Sequence, residues 1–497
     1  MTRGHRAESG ERPVMEFSRK SFIAGCAACG AQAALLGKAT RGSEMAGAYR
    51  GTYGSLSKHH VPQWYDDAKF GIFIHFGAYA VPAFATPGGG AEWYWYALTH
   101  PDDDDGATLR HHRAVWGEHF EYDEFIPRFK AQRFDPNAWV EFFETAGAKY
   151  FVLTSKHHDG FANFHTRLTN RNAYVMGPRR DILGDLFAAA RARTHLKCGA
   201  YYSVGEFFNP SIPRPPYNAY THVPVPYTGY IPRTNYVDFM HAQMHELIDN
   251  YDPDILWGDG AFLAPDNTDA YWHNEAIIAY YYNHARQRQN PKEVVVDNRF
   301  MIFSPDGKTW GDFGTPEQQT LKNLEAAKWE TCQTFAGSWG FNAQEPVSSY
   351  KTTADIVRLL VDAVSKNGNL LFNVGPMHDG TISQPMQERL RGVGAWLRIN
   401  GEAIYGSRYW KQAEDGNIRF TTKPGKFYMT ALKWPGRDLR TTAPIPLSGD
   451  TKVRLLGSDG PAIAWKRDGD ALILTMPQAG PNATTSKDAY TFVFDVA

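Results

Sequence analysis

The 497-residue sequence holds only four cysteines. That is too few for a disulfide framework, and Cys26 and Cys29 fall in an N-terminal apolar stretch whose removal leaves Cys198 and Cys332, a pair that permits one bridge without implying it. An excess of charge is also lacking. Lysine plus arginine (52) nearly balances aspartate plus glutamate (53), which removes the electrostatic argument for nucleic acid, an anionic membrane surface or a polyanionic substrate. Beyond the N-terminal segment no stretch is long and apolar enough to cross a membrane. Neither G-x-G-x-x-G nor G-x-x-x-x-G-K-[ST] occurs, so the phosphate-cradling turn of an open nucleotide-binding sheet is missing. A neutral ligand is expected, with no cofactor.

Aromatic residues, by contrast, are plentiful: 14% of the chain, with 14 Trp and 26 Tyr. Sugars are neutral and polar, with apolar C–H faces that stack on such rings, although a large well-filled core uses aromatics too. At the N-terminus, Ser18-Arg19-Lys20-Ser21-Phe22-Ile23 followed by Ala24 to Leu36 has a basic start and a short, mild apolar stretch, similar to a twin-arginine export signal with lysine at the second basic position. Ile23-Ala24-Gly25-Cys26 looks like a lipoprotein box but precedes most of the apolar stretch. Met15 is an alternative start. Export to the periplasm or the exterior is the expectation, with residues 1–47 as signal and tail.

From about residue 70 to 375 short β-rich runs alternate with amphipathic helical stretches, the pattern of repeated βα units around a parallel sheet. Strands are expected at Phe70–Phe76, Tyr150–Ser155, Cys198–Ser203, Asp254–Trp257, Val294–Asp297 and Leu370–Val374. Helices are signalled by Asp135-Pro136 ahead of Trp139, Phe142 and Phe143, and by Thr353 ahead of Ile356, Leu359, Leu360 and Val364. Chemically capable residues recur where successive strands end: His75, then Lys156-His157-His158-Asp159, Glu206, Gly258-Asp259-Gly260 and Asn298-Arg299. A (β/α)8-like barrel builds its active site there. After about residue 405 short alternating strands (Ile418–Thr421, Tyr428–Leu432, Lys452–Leu456, Ala471–Met476) between Gly, Pro and Asp turns indicate a small antiparallel β-sandwich. The expected division is a barrel over 48–404 and a sandwich over 405–497, with loop insertions at Asn209–Pro232 and at the acidic run Asp102–Asp105.

Sugar-bond hydrolysis needs two carboxyl groups, one to attack or activate water and one to protonate the leaving oxygen. Asp259, beyond a strand core and flanked by glycines, is the first candidate, although a barrel-mouth aspartate also serves as a simple cap. For its partner Glu92, Glu206, Glu317 and Glu330 all lie beside aromatics or Gly/Pro turns, and spacing does not decide among them. Tandem His157-His158 suggests a metal. Adjacent strand residues face opposite ways, however, and paired metal ligands on a strand are usually two apart. Hydrogen bonds to sugar hydroxyls are the better reading, and no metal is expected.

Seven motifs in order carry a specific resemblance: Gly71-Ile72-Phe73-Ile74-His75-Phe76-Gly77, Glu92-Trp93-Tyr94, Ser155-Lys156-His157-His158-Asp159-Gly160-Phe161, Leu256-Trp257-Gly258-Asp259-Gly260, Trp329-Glu330-Thr331-Cys332, Ser338-Trp339-Gly340-Phe341-Asn342 and Asn369-Leu370-Leu371-Phe372-Asn373-Val374-Gly375-Pro376. Over roughly residues 50–410 the chain resembles the α-L-fucosidases of glycoside hydrolase family 29. The resemblance implies a retaining exo-fucosidase, a (β/α)8-like barrel with a C-terminal β-sandwich, and a fucosylated glycan as partner. It implies Asp259 as nucleophile, and His75, Glu92, Trp93, His157, His158, Trp257 and Arg299 as residues that hold fucose, joined by Trp339 and by Tyr202 or its neighbour Tyr201. The acid/base lies between Glu317 and Glu330. Glu317 is preferred, because a loop following Gly314 and Pro316 reaches over a bound sugar, whereas Glu330 sits on what reads as a strand. Phe164 and Phe207 stand where the family pattern has Trp, and His100–Gly117 is unusually long and charged; these departures bear on the pocket rim. Two other readings are a non-catalytic sugar-binding barrel, in which an intact Asp259 has no role, and a metal-dependent hydrolase, which should show His-x-His near the first strand where this chain has His75 alone.

Overall fold

A parallel sheet curls around an aromatic interior. The computed structural model describes residues 48–207, 236–261 and 269–496; the export-signal segment and the Asn209–Pro232 insertion lie outside them. In chain order the strands are β1 (Phe70–Ile74), β2 (Tyr150–Lys156), β3 (Lys197–Ser203), β4 (Ile255–Asp259), β5 (Val295–Val296), the hairpin β6 (Ile302–Phe303) and β7 (Thr309–Trp310), β8 (Trp329–Gln333) and β9 (Gly368–Val374). Seven of them hydrogen-bond in the order β5-β4-β3-β2-β1-β9-β8, and every neighbouring pair is parallel. The barrel expected from the βα alternation is present, with one difference. Between β5 and β8 the eighth position is an irregular segment held by single bridges, Asp297 to Phe313, Gly314 to Trp329 and Glu317 to Cys332.

Alternation along each strand separates two cores, because successive side chains face opposite sides of a sheet. Phe73, Tyr150, Val152, Tyr201, Ile255, Trp257, Val295, Phe313, Cys332 and Leu371 fill the interior. Ile72, Ile74, Phe151, Leu153, Ala200, Tyr202, Leu256 and Phe372 face outward into the core beneath the covering helices. Gly71 makes room for one interior ring, since a Cβ there would sit 2.3 Å from the Tyr150 ring.

The covering helices begin where their caps say they should. Asp135 accepts from the backbone N–H groups of Asn137 and Ala138 at the start of Pro136–Thr145, satisfying donors that a helix end leaves free. Thr352, one residue earlier than expected, caps Thr353–Ser365 in a reciprocal box with Asp355. The acidic run is a correction. Pro101–Asp104 forms a 3-10 turn and Ala107–Val115 a helix, because the Asp104 carboxylate accepts from the Thr108 N–H at 2.9 Å.

Beyond the helix Gln384–Asn400 the chain turns antiparallel, with β10 (Arg408–Asp415), β11 (Ile418–Lys423), β12 (Lys426–Ala431), β13 (Asp438–Thr441), β14 (Val453–Leu455), β15 (Ala464–Asp468), β16 (Ala471–Thr475) and β17 (Tyr490–Asp495). A five-stranded sheet, β10-β11-β12-β17-β14, faces a three-stranded one, β13-β16-β15. Phe420, Phe427, Leu439, Leu472, Leu474, Phe492 and Phe494 share the core between them. Arg419 ties this sandwich to the barrel by an ion pair with Asp362 at 2.6 Å.

Candidate active site

The carboxyl ends of the barrel strands enclose a chamber of about 200 Å³, lined by Phe73, His75, Trp93, His157, His158, Tyr201, Trp257, Asp259, Arg299, Glu317, Cys332 and Trp339. Nine of the expected residues meet there. Asp259 is the last residue of β4, two positions beyond Trp257 and on the same inward face. Its Oδ2 accepts from the Tyr201 hydroxyl at 2.9 Å, and its Oδ1 lies 3.5 Å from Arg299 Nη1. Burial pushes this carboxyl up, but the Arg299 guanidinium, the Gly260 N–H and the Tyr201 hydroxyl outweigh it and hold the group below its usual range. The result is a buried carboxylate that stays ionised.

Arg299 is itself fixed from several sides. Nε donates to Thr315 Oγ1 at 2.9 Å and Nη2 to Glu317 Oε2 at 2.9 Å, while the guanidinium lies 4.8 Å over the Trp257 ring. Glu317 stands at the end of the irregular eighth strand, bridged to Cys332, and Trp339 Nε1 donates to its other oxygen at 3.2 Å. One face of the Glu317 side chain stays open to solvent. Asp259 and Glu317 therefore share one guanidinium at the mouth of one chamber.

The three histidines are held neutral. Burial lowers His75 to about 3 and His158 to about 4, and drives His157 well below the usual imidazole value. Asn373 fixes the His75 tautomer: its Nδ2 donates to Trp339 O at 2.7 Å, so its Oδ1 accepts from His75 Nδ1 at 2.8 Å, which leaves Nε2 a bare acceptor. Ser203 does the same for His158. Its hydroxyl proton goes to Gly205 O, so its oxygen accepts from His158 Nδ1 at 2.6 Å, and His158 Nε2 faces Asp259 Oδ2 at 3.8 Å. Acceptors aimed into a chamber suit the hydroxyl donors of a sugar. His157 and His158 both face it because β2 ends at Lys156, so strand alternation no longer applies to them.

Three expected site residues lie elsewhere. Tyr202 points outward and donates to Gln243 Oε1 at 2.8 Å; the inward residue is Tyr201, which pairs with Trp257 across β3 and β4. Glu330 is fully buried below the chamber, accepting from Tyr65 at 2.9 Å, from Trp257 Nε1 at 3.1 Å and from Tyr150. Glu92 sits behind Trp339, one carboxylate oxygen accepting the backbone N–H groups of Trp339 at 3.2 Å and Gly340 at 2.9 Å. Glu206 spends its carboxylate on Lys156 Nζ at 2.7 Å. Phe207 packs on Trp93 and His158 at 4.6 and 5.0 Å between ring centroids, but Phe164 is buried against Tyr251, away from any rim.

Sequence reasoning missed Phe73, Cys332, Asn373 and Ser203. Phe73 was legible, being two residues before His75 on one strand. Asn373 interrupts an apolar buried strand, which is also a signal. Cys198 and Cys332 are both free and buried, and burial pushes the Cys332 thiol up, so it lines the chamber as a neutral group. Among the described residues no group of three or more His, Cys, Asp or Glu side chains is arranged to hold a metal ion, and no helix is long and apolar enough to cross a membrane.

Comparison with known proteins agrees with this geometry. The α-L-fucosidase family model matches residues 38–402, and the α-L-fucosidase C-terminal domain model matches 411–495. The plasma α-L-fucosidase of Homo sapiens is 36% identical over 435 residues, covering 86% of this chain and 88% of the relative. Among solved structures, the α-fucosidase of Thermotoga maritima is similar at a TM-score of 0.73 and 36% identity, covering 90% of this chain and 99% of that one. Its complex with fucose is similar at a TM-score of 0.74 and the same identity, covering 90% and 100%. By these matches across barrel and sandwich alike, the chain belongs to the α-L-fucosidases, glycoside hydrolase family 29.

Proposed function

We propose that this enzyme is a retaining, exo-acting α-L-fucosidase that works by double displacement. Asp259 attacks the anomeric carbon and the bond to the leaving oxygen breaks, while Glu317 gives that oxygen its proton. Water then breaks the fucosyl ester with Glu317 as base, and Asp259 departs as carboxylate. The observation that carries this reading is the single guanidinium of Arg299 between Asp259 and Glu317 at the mouth of one chamber. Exo action fits a chamber of about 200 Å³, below the roughly 300–1,000 Å³ typical of larger ligand sites. Fucose lacks a 6-hydroxyl, and the Phe73 and Trp339 rings, 5.9 Å apart, offer its methyl an apolar contact. The neutral imidazoles and Arg299 supply the acceptors and donors for its hydroxyls. Fucosylated glycans are the substrate class, and the Ser18–Leu36 segment supports export.

Hydrolysis of a chromogenic α-L-fucoside by wild type and by Asp259→Gly, with and without azide, tests the assignment. Wild type should release the chromophore with α-L-fucose as first product by NMR, and the variant should be inactive until azide replaces the missing nucleophile. A wild type inert on every α-fucoside, or a variant with full activity, overturns it.

A further inference from the structure

A second cavity opens directly from the chamber mouth. About 850 Å³ in volume, it shares Asp259, Arg299 and Glu317 with the chamber and continues past Asn298, Thr315, Met301 and Trp310. It exists because the chain between β5 and β8 forms no α-helix, but a single 3-10 turn at Asn298–Phe300, the β6–β7 hairpin and the irregular eighth strand. Elsewhere a helix covers the barrel flank; here the flank is a trough.

We propose that this trough binds the sugars on the leaving-group side of a fucosylated oligosaccharide, with Trp310 as their stacking platform. The proposal rests on the reading of Asp259 and Glu317 as the reacting pair. An acid that protonates a leaving oxygen must border the space the leaving group occupies, and Glu317 borders both cavities. The trough falls within the ordinary range for extended ligands, roughly 300–1,000 Å³, so it has room for sugars that the chamber excludes.

Its lining has the chemistry of a carbohydrate site, apolar faces beside hydrogen-bonding groups. Trp310 and Met301 are half-buried against the core, with one side on the trough. Tyr53 meets the Trp310 ring edge-on at 6.4 Å and 88°, which fixes the platform. A ladder of hydrogen bonds joins it to the chemistry: Arg299 Nε to Thr315 Oγ1 at 2.9 Å, Thr315 Oγ1 to Asn298 Oδ1 at 3.0 Å, and Asn298 Nδ2 to Thr309 Oγ1 at 3.1 Å. Thr309 is the neighbour of Trp310 on β7. A sugar seated on Trp310 therefore lies along the same rigid edge that positions Arg299.

The test compares kcat/KM on 4-nitrophenyl α-L-fucoside, whose leaving group carries no sugar, with that on a panel of α-1,2-, α-1,3-, α-1,4- and α-1,6-fucosylated oligosaccharides. Wild type, Trp310→Ala and Trp310→Phe are measured on the aryl fucoside and the best oligosaccharide. Trp310→Ala should lose roughly tenfold on the oligosaccharide and stay within about twofold on the aryl fucoside. Trp310→Phe, which keeps a ring and guards against misfolding, should recover most of the loss. Equal loss on both substrates by both variants, or no loss, overturns the trough. Wild-type activity on the aryl fucoside with none on any oligosaccharide overturns it too, whereas inactivity on both classes refutes the hydrolase reading on which it rests.

Discussion

Arg299 and Glu317 pair at 2.9 Å while the same guanidinium stands 3.5 Å from Asp259. One cation thus steadies the attacking group and borders the proton donor. Replacing it by lysine keeps a charge but not the fork that reaches both. Arg299→Lys should lower kcat by roughly 10²-fold, the scale of losing one preorganised electrostatic contact. Because the guanidinium holds the Asp259 carboxyl down, Arg299→Gln should also raise it. The acidic limb of the pH–kcat/KM profile, where activity is lost as Asp259 gains a proton, should move to higher pH. An unmoved limb would mean that Asp259 is not the group titrating there.

Glu317 and Glu330 should separate cleanly in kinetics and stability. Glu317→Gln should cost about 10²–10⁴ on substrates whose leaving group needs a proton, with a smaller loss on a 2,4-dinitrophenyl fucoside that leaves unaided. Glu330→Gln should act through stability. Its carboxylate accepts from Tyr65, Tyr150 and Trp257, and an amide NH₂ placed against a hydroxyl donor costs about 1–3 kcal/mol. Thermal unfolding with steady-state kinetics distinguishes the two; a Glu330→Gln enzyme of normal stability and abolished turnover would reverse the assignment.

Tyr201 and Tyr202 offer the same comparison between neighbours. Tyr201→Phe removes the 2.9 Å bond to Asp259 and should lower kcat. Tyr202→Phe removes the 2.8 Å bond to Gln243 on the outer face and should cost about 1 kcal/mol of stability with kcat unchanged. Loss of kcat in the Tyr202 variant alone would contradict the strand parity.

That parity shows how far the sequence could be read. The motifs bring Asp259, Trp257, His75 and the histidine pair to strand ends, but the choice between Tyr201 and Tyr202 needed the β3–β4 register, which pairs Tyr201 with the inward-facing Trp257. Glu92 and Glu330 were harder. Both lie in motifs that build the site, yet each is turned to backbone or ring donors behind it, and which way a buried glutamate turns depends on partners hundreds of residues away. The irregular eighth strand was illegible for a related reason. Single bridges at Phe313, Gly314 and Glu317 leave no alternating run to recognise, and its place is set by the strands on either side.

Glu92 gives a prediction in pH. Burial raises its carboxyl to about 7, against 4.5 for an ordinary glutamate, despite N–H donors from Gly340 and Trp339. A carboxyl raised in this way keeps its proton in the folded chain after the unfolded chain has shed it, so its stabilising effect is complete below pH 4.5 and is lost as pH rises through about 7. At 1.36 kcal/mol per unit the loss approaches about 3 kcal/mol. The buried neutral histidines work in the opposite direction, since His75 and His158 gain protons on unfolding at acid pH, and they mask the effect in the wild-type curve alone. Glu92→Gln keeps an acceptor for the two N–H groups and removes the titration, while the histidine contribution is common to both proteins. The wild-type stability measured relative to Glu92→Gln should therefore fall between pH 4.5 and 8 in urea unfolding. A difference that stays constant across that range would show that Glu92 does not titrate behind Trp339.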